Sequence, residues 1–217
     1  MRMILAGGTG LVGRQVAERL RPGELVTIGR RAVEGLPETT RQLVGPVDKW
    51  PELMADLKVE VAICALGTTV RQAGSQAAFR AIDHDAVLTF ARAAKDAGAW
   101  HFVIISAVGA NATSSNFYQR TKGETEEAVR GIGFQRLDIL RPGLLRGDRG
   151  GPLRLGERIA MAVSPITDLL TPAVLDQYRS IDAADVAATI VRAACAGGSG
   201  EHIHHNREIR RFAHEAD

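Results

Sequence analysis

The sequence predicts a doubly wound α/β domain, in which helices cover both faces of a parallel β-sheet. Short apolar runs alternate with longer amphipathic segments to the end of the chain, a rhythm typical of βαβ units. Most of the apolar runs are unbroken stretches of Val, Ile and Leu, which indicates strands buried on both faces. Because 217 residues suit one domain of ordinary size, and no repeat or linker divides them, we predict a single domain over residues 1–217.

The individual elements follow from the length and period of each apolar pattern. We predict strands over residues 3–6, 24–28, 41–44, 59–65, 101–106 and 134–140, and a short one near His202. Helical periodicity predicts helices over residues 11–20, 77–97, 116–129 and 182–196. The region 146–179 contains GDRGGP and two further prolines and lacks a clear period, so we expect a small loop and helix region on the substrate side.

The composition excludes several classes of protein. A net charge of +2, with no run of five basic residues, argues against a nucleic-acid partner. No apolar stretch approaches the roughly 18 residues that cross a membrane, and an apolar strand begins at Met3 without a leader. We therefore expect a cytoplasmic protein that binds neither nucleic acid nor membrane.

The cysteines and histidines do not predict a metal site. Cys64 and Cys195 lie in apolar segments, where a thiol is usually a small buried hydrophobe. The segment EHIHHN at residues 201–206 places His202 and His204 on one face of a strand, but no acidic or Cys partner stands at ligand spacing. We expect no bound metal.

A glycine-rich turn joins the first predicted strand to the first helix. Its glycines satisfy both GxGxxG and GxxGxxG spacing: Gly7, Gly8, Gly10 and Gly13. Residues without Cβ allow the tight turn and the approach of a pyrophosphate, while the helix N-terminus supplies amide donors. We predict that a dinucleotide is bound by Gly7, Thr9, Gly10, Leu11, Val12 and Gly13. The alternative is a glycine turn with a structural role alone.

The end of the second strand favours NADP over NAD. The run ELVTIGRR ends in Arg30 and Arg31, and the first carboxylate after them is Glu34. Two guanidinium groups suit a 2′-phosphate, whereas NAD binding usually places a carboxylate on the ribose at this position. The alternative is that both arginines are exposed turn residues.

A Tyr–Lys pair follows the fifth predicted strand. Tyr118 and Lys122 are one helical turn apart and so share a face, and Ser106 closes the apolar run HFVIIS. A nearby ammonium favours the phenolate form of a tyrosine, which makes the pair suitable for proton transfer. The alternative is a surface lysine beside a buried tyrosine. Ligands of open α/β sheets bind at the carboxyl ends of the strands, where Ser106 is expected to lie.

These motifs, in this order, resemble the short-chain dehydrogenase/reductase superfamily, in its atypical or extended NAD(P)-binding branch. The segments IGRR (28–31), ALGTT (65–69), SSNFYQRTKGETE (114–126) and LRPGLL (140–145) are most similar to the group of the Tat-interacting protein TIP30. The resemblance implies a Rossmann fold that binds NADPH.

The resemblance also implies roles for individual residues. Ser106 would orient a carbonyl or hydroxyl group, Tyr118 would exchange its proton, and Lys122 would lower the tyrosine pKa and hold the nicotinamide ribose. It further implies cofactor contacts near the adenosine side from Ala65, Leu66, Gly67 and Thr68, and near the nicotinamide from Pro142 and Gly143.

We therefore expect an NADPH-dependent oxidoreductase that acts on a small carbonyl or alcohol substrate. A nucleotide-sugar substrate is disfavoured, because the extended branch usually devotes a larger C-terminal region to it than the part of this chain that follows Arg141. Arg146 and Arg149 could meet an anionic substrate or could be an exposed loop pair. The alternative function is a non-catalytic NADP(H)-binding regulator that engages a protein partner. The oligomeric state stays open.

Overall fold

A computed structural model describes residues 1–21, 24–147 and 178–214. Its main feature is a seven-stranded, fully parallel sheet in the order β3-β2-β1-β4-β5-β6-β9. These strands are β1 (Met3–Ala6), β2 (Leu25–Gly29), β3 (Arg41–Val44), β4 (Val61–Cys64), β5 (His101–Ile105), β6 (Arg136–Arg141) and β9 (Gly200–His205). Two further short strands, β7 (Leu145–Arg146) and β8 (Ile181–Asp182), pair with each other in parallel.

Helices cover both faces of the sheet. The described helices are α1 (Leu11–Arg19), α2 (Trp50–Met54), α3 (Val70–Ala73), α4 (Gln76–Arg80), α5 (Ala86–Asp96), α6 (Phe117–Arg130), α7 (Ala183–Cys195) and α8 (Asn206–His214). One apolar core lies between the sheet and α2, α5 and α6. A second core lies between the opposite face and α1, α7 and α8. The doubly wound parallel fold is therefore confirmed.

Six predicted strands agree with the structure to within two residues at each end. The seventh, predicted as a short segment near His202, is the six-residue edge strand β9. The main difference is the helix predicted over 77–97, which divides into α4, a π-helical turn (Ala81–Asp85) and α5. The Thr125 hydroxyl, on α6, donates a 3.0 Å hydrogen bond to the Asp83 carbonyl within this turn. A contact between distant segments thus accompanies the interruption, and local periodicity does not report it.

The predicted substrate-side region 146–179 lies mostly outside the described residues, which resume at Tyr178. The single-domain organisation over residues 1–217 includes this region and so stays a prediction. Among the helices that the structure describes, none is both long and apolar enough to cross a membrane.

On the face of the sheet that α7 covers, one buried carboxylate links β5, β6 and β9. Asp138, on β6, is fully buried and accepts hydrogen bonds from Arg136 Nε at 2.7 Å. Its two oxygens also lie 2.8 Å from His101 Nε2 and 2.7 Å from His204 Nε2. Burial alone would raise the pKa of Asp138, but the bonds to His101, His204 and Arg136 outweigh it and hold the pKa far below its usual value. His204 therefore has a structural contact, and within the described part of the chain no cluster of three or more candidate ligands could hold a metal.

We expect Asp138→Asn to lower the free energy of unfolding by about 3 kcal/mol at neutral pH, because Arg136 loses its buried partner. The lowered pKa of folded Asp138 stabilises the native state above the usual Asp pKa of about 3.9, and this contribution is lost as the pH falls below that value. Denaturant titrations at neutral and acidic pH should therefore show a steeper acid loss in the parent than in the variant. Exposed Asp56→Asn is the control, with an expected change within about 0.5 kcal/mol. Equal acid slopes for parent and Asp138→Asn would contradict this account.

Candidate active site

Two adjoining cavities lie at the carboxyl edge of the sheet. The first, of about 570 Å³, is lined by the start of α1 and by the segments that follow β4, β5 and β6. The second, of about 350 Å³, is lined by the glycine turn, by the end of β2 and by Trp50. Leu66 lines both cavities, so one elongated ligand could extend from one into the other.

The glycine turn lies between the two cavities, and a phosphate could bind there. The Gly10 amide donates to the Gly7 carbonyl at 2.9 Å, and Gly10 is the N-cap of α1 without a side-chain hydrogen bond. The first amides of a helix lack intrahelical partners, and Leu11 and Val12 in this first turn line the cavity. A Cβ on Gly13 would lie 2.2 Å from the Gly7 carbonyl oxygen, so the turn requires glycine there. This arrangement fits a pyrophosphate.

Arg30 and Arg31 are exposed residues at the rim of the second cavity, directly after β2. The described residues that line this cavity include no carboxylate. Trp50 contributes a buried apolar wall, held by a 3.1 Å hydrogen bond from its indole to the Gly45 carbonyl. The second cavity therefore combines an apolar floor with two cations, as a phosphorylated nucleoside requires.

Tyr118 and Lys122 line the first cavity from α6. The Asn116 side chain caps this helix by accepting from the Gln119 amide at 3.1 Å, and the Tyr118 ring packs 5.4 Å from that of buried Phe79. Lys122 Nζ lies 2.6 Å from Asp83 Oδ1, in a pair that is almost completely buried. Burial opposes the lysine charge, but attraction to Asp83 and Tyr118 outweighs it and raises the pKa of Lys122.

Ser106 is buried at the cavity and faces a carboxylate. Its hydroxyl donates to Glu126 Oε1 at 2.5 Å, and Arg141 holds both oxygens of Glu126, at 3.0 Å and 2.5 Å. A serine hydroxyl has one proton and two acceptor lone pairs. In this arrangement Ser106 offers its lone pairs to the cavity, so it can accept from a substrate hydroxyl but must turn away from Glu126 to donate to a carbonyl.

The other predicted contacts divide between the two cavities. Ala65, Gly67, Thr68, Pro142 and Gly143 line the first cavity with Tyr118, and Gly7 and Thr9 line the second. Gly67 and Thr68 thus line the cavity that contains Tyr118 and Lys122, and their contact with the adenosine side of the cofactor stays a prediction.

The expectation that Arg146 and Arg149 meet an anionic substrate stays a prediction. Arg146 Nε lies 3.6 Å from Asp182, and Arg149 is outside the described residues.

Cys64, the last residue of β4, is fully buried, and burial raises the pKa of its thiol to about 12.

The sequence reasoning missed Asp83 and Glu126, although both carried a signal. Asp83 follows Phe79 by four residues and so lies on the apolar stripe of its helical segment. Glu126 follows Lys122 by four residues on the face that carries Tyr118. A carboxylate within an apolar or catalytic face indicates a buried ion pair, because an unpaired charge would be costly there.

The loop of residues 107–116 lies directly on the backbone of α6. Asn111 donates from its amide to the Gln119 carbonyl at 3.0 Å. A Cβ built on Gly123 would lie 2.1 Å from the Ala112 nitrogen. This close contact fixes the loop that follows Ser106 relative to the helix that carries Tyr118.

The sequence matches no family model, but curated relatives align along most of its length. It is 33% identical to the protein FMP52, mitochondrial, of Candida albicans, over 93% of this chain and 91% of that protein. It is 30% identical to FMP52 of Coccidioides immitis, over 96% and 92%, and 40% identical to fmp52 of Emericella nidulans, over 67% of each. All three are named as mitochondrial proteins, so the expectation of a cytoplasmic location is wrong.

Solved structures share the fold at low sequence identity. A UDP-glucose 4-epimerase superposes with a TM-score of 0.71 at 13% identity, over 98% of this chain and 80% of that one. MoeE5 in complex with UDP-glucuronic acid and NAD gives 0.70 at 15% identity, over 100% and 82%. The UDP-glucose 4-epimerase of Thermotoga maritima gives 0.69 at 14%, over 99% and 82%. These likenesses confirm a Rossmann-type fold, while the closer grouping with TIP30 stays a prediction.

We expect Gly123→Ala to destabilise the protein by about 2 kcal/mol, through overpacking against the loop of residues 107–116. Alanine in a helix normally stabilises relative to glycine by roughly 1 kcal/mol. A lower free energy of unfolding for the variant would therefore show that the close contact outweighs helix propensity. Denaturant unfolding measures the change. Gly131→Ala, directly after α6, is the matched control, since its Cβ would meet its nearest neighbour at 3.4 Å. Stabilisation by Gly123→Ala would refute the close contact.

Proposed function

This chain belongs to the FMP52 family, and we propose that it is an NADP(H)-dependent oxidoreductase that interconverts a carbonyl and an alcohol group on a small substrate. The observation that carries the proposal is the meeting of Ser106, Tyr118 and Lys122 with the first turn of α1 around one cavity. A proton-transfer pair beside a phosphate-binding turn is the arrangement that hydride chemistry requires.

The two cavities suit the two halves of the cofactor. The α1 N-terminus would bind the pyrophosphate, Arg30 and Arg31 a 2′-phosphate, and Lys122 the nicotinamide ribose. NAD appears in the names of structural neighbours, which supports a nicotinamide dinucleotide as the class of cofactor. The choice of NADP rests on the two arginines and on the absence of a carboxylate among the described residues of the second cavity.

The chain's own residues would supply the proton and would orient the substrate. The bound cofactor supplies or accepts the hydride. In reduction, the Tyr118 phenol donates its proton to the substrate oxygen as the carbonyl carbon gains the hydride, and the resulting tyrosinate regains a proton from water. In oxidation, the Ser106 lone pairs would accept from the substrate hydroxyl and orient it.

A nucleotide-sugar substrate fits the first cavity less well, although several structural neighbours are named for UDP-sugars. A second diphosphate would need donors or cations besides the α1 N-terminus, which the cofactor pyrophosphate would occupy. Among the described lining residues Lys122 is the one cation, and it is paired with Asp83. The substrate is therefore proposed to be a small carbonyl compound or alcohol.

The alternative function is an NADP(H)-binding regulator of a protein partner, which the resemblance to the TIP30 group permits. Such a protein has no need of a proton donor beside the cofactor. A screen of small carbonyl compounds that follows NADPH absorbance, paired with pull-downs with and without NADPH, separates the two. Turnover supports the enzyme, whereas NADPH-dependent capture without turnover supports the regulator.

We expect Tyr118→Phe to lower kcat by about 10²-fold, because it removes the proton donor. NADPH affinity, measured by fluorescence titration, should change little, since the ring and its contact with Phe79 are kept. Unchanged turnover would exclude Tyr118 as the proton donor. A parallel loss of NADPH binding would indicate a structural effect instead.

We expect the double variant Arg30→Ala and Arg31→Ala to weaken NADPH binding by about 10²-fold, through the loss of charge-assisted hydrogen bonds. NADH affinity should change less than about threefold, because NADH lacks the 2′-phosphate. The control is Arg19→Ala with Arg41→Ala, which removes the same charge from two exposed residues that do not line either cavity. Equal losses for NADPH and NADH would refute the proposed preference.

A further inference from the structure

We propose that the substrate of the first cavity is an uncharged carbonyl compound with an apolar chain or ring, which packs on an apolar wall of this cavity. The wall consists of four side chains that all line the first cavity: Val108, Leu144, Leu145 and Tyr178. The inference rests on the proposed function, since it names the substrate class of the same site.

Two side chains of the apolar wall are open to solvent. Leu144 is 62% exposed and Tyr178 is 45% exposed. The structure describes two further large apolar side chains with comparable exposure, Met1 and Val44, and neither lines this cavity. Single exposed apolar side chains are common in soluble proteins, but two that line one cavity indicate an apolar ligand.

Asn206 joins the two segments that carry these side chains. Its side-chain oxygen accepts from the Gly143 amide at 2.8 Å, and its side-chain nitrogen donates to the Arg179 carbonyl at 2.9 Å. Asn206 is itself fully buried. Because Gly143 precedes Leu144 and Arg179 follows Tyr178, one side chain bonds to the backbone on both sides of the apolar wall.

The same two segments also contact each other directly. The Ile181 amide donates to the Leu144 carbonyl at 2.9 Å, and Leu145 pairs with Ile181 in a short parallel ladder. A Cβ built on Gly143 would lie 2.2 Å from the Arg179 carbonyl oxygen, so the backbones are in close contact. A ligand that binds to an ordered surface avoids the entropic cost of ordering it.

The described lining of the first cavity favours an uncharged substrate. Its two charged side chains are Asp83 and Lys122, which lie 2.6 Å apart and are paired. Thr69 and Gln72 contribute neutral polar groups, and the Thr69 hydroxyl accepts from the Gln72 amide at 3.1 Å. A charge on the substrate would lack a partner among these residues, and burying an unpaired charge is costly.

The apolar wall adjoins the residues assigned to the reaction. Ser106 and Tyr118 line the same cavity, and Val108 follows Ser106 by two residues. The Val108 amide donates to the Pro142 carbonyl at 3.0 Å, and Pro142 lies two residues before Leu144. A few polar groups in a mostly apolar lining are typical of a small-molecule site, and here they suit one carbonyl or hydroxyl group.

For an aldehyde, the reaction would be reduction to the primary alcohol. The carbonyl carbon gains the hydride of NADPH, the oxygen gains the Tyr118 proton, and Tyr118 regains a proton from water, which leaves NADP⁺. The alkyl chain takes no part in the chemistry. Its burial on the apolar wall would raise affinity about three- to fourfold for each methylene group.

The first test measures binding and needs no turnover. Primary amides from propanamide to octanamide carry a carbonyl group and are not reduced by NADPH. Their dissociation constants are measured by NMR titration with and without NADPH, so the result does not depend on the proposed cofactor. We expect the dissociation constant to fall about three- to fourfold for each added methylene group. An affinity that does not change with chain length would overturn the proposal.

A charged amide tests the preference for an uncharged substrate. Succinamate replaces the terminal methyl group of butanamide with a carboxylate. We expect it to bind at least about tenfold more weakly than butanamide to the protein saturated with NADPH, because its charge finds no free partner. Equal or tighter binding of succinamate would overturn the proposal.

The next test removes the apolar wall. Leu144→Ser combined with Tyr178→Ser replaces two exposed side chains, so both apolar cores stay intact. We expect octanamide to bind about tenfold more weakly to this variant and propanamide to bind within about twofold of the parent, because the short amide buries less of its chain on the wall. No loss for octanamide, or an equal loss for both amides, would contradict the inference.

Val44→Ser is the matched control, because Val44 is 50% exposed and lines neither cavity. Its amide affinities should equal those of the parent. A loss of octanamide binding as large as that of the double variant would overturn the proposal, since the effect would then come from exposed apolar surface in general.

Turnover separates this inference from the proposed function. Aldehydes from butanal to octanal are followed by NADPH absorbance, and kcat/KM should rise with chain length in the parent and rise less in the double variant. If the amides bind as expected but no aldehyde is reduced, the proposed function fails while the apolar wall stands. If aldehydes are reduced with a kcat/KM that does not depend on chain length, the proposed function stands and the apolar substrate class is overturned.

Discussion

The whole site depends on the parallel register of the four central strands. Ala6 pairs with Cys64, Cys64 with Ile104, and Ile105 with Leu140, so the chain leaves β1, β4, β5 and β6 at one edge. A shift of one residue in any pair would exchange the two faces of that strand, and both faces are buried. The register observed for these strands brings the glycine turn, Leu66 and Ser106 together.

Two pairs of buried charges connect this edge to α6, and each is compensated within the site. Glu126 binds Arg141 and accepts from Ser106, while Asp83 binds Lys122. Burying a charge is costly unless a partner is close. The partners here lie on different elements, so the pairs also fix α6 against β6 and against the π-helical turn.

The sequence predicted the sheet, the glycine turn and the Tyr–Lys helix, because each depends on a local pattern. It failed at the π-helical turn, since the Thr125 bond to the Asp83 carbonyl joins residues 42 apart. The bond from Ser106 to Glu126 was not predicted, because the two residues are 20 apart and neither spacing nor periodicity reports which group takes the serine proton. The predicted cellular location was wrong, because composition does not report the compartment to which a protein is delivered.

The fold alone does not determine the chemistry of the first cavity, because the charges of the lining side chains also contribute. Rossmann-type neighbours named for UDP-sugars superpose on nearly the whole chain at 13–15% identity, which shows a shared fold. Among the described residues that line the first cavity, Lys122 is the one cation, and it is paired with Asp83. A fold therefore supplies the position of a site, whereas the side chains that line the site determine its chemistry.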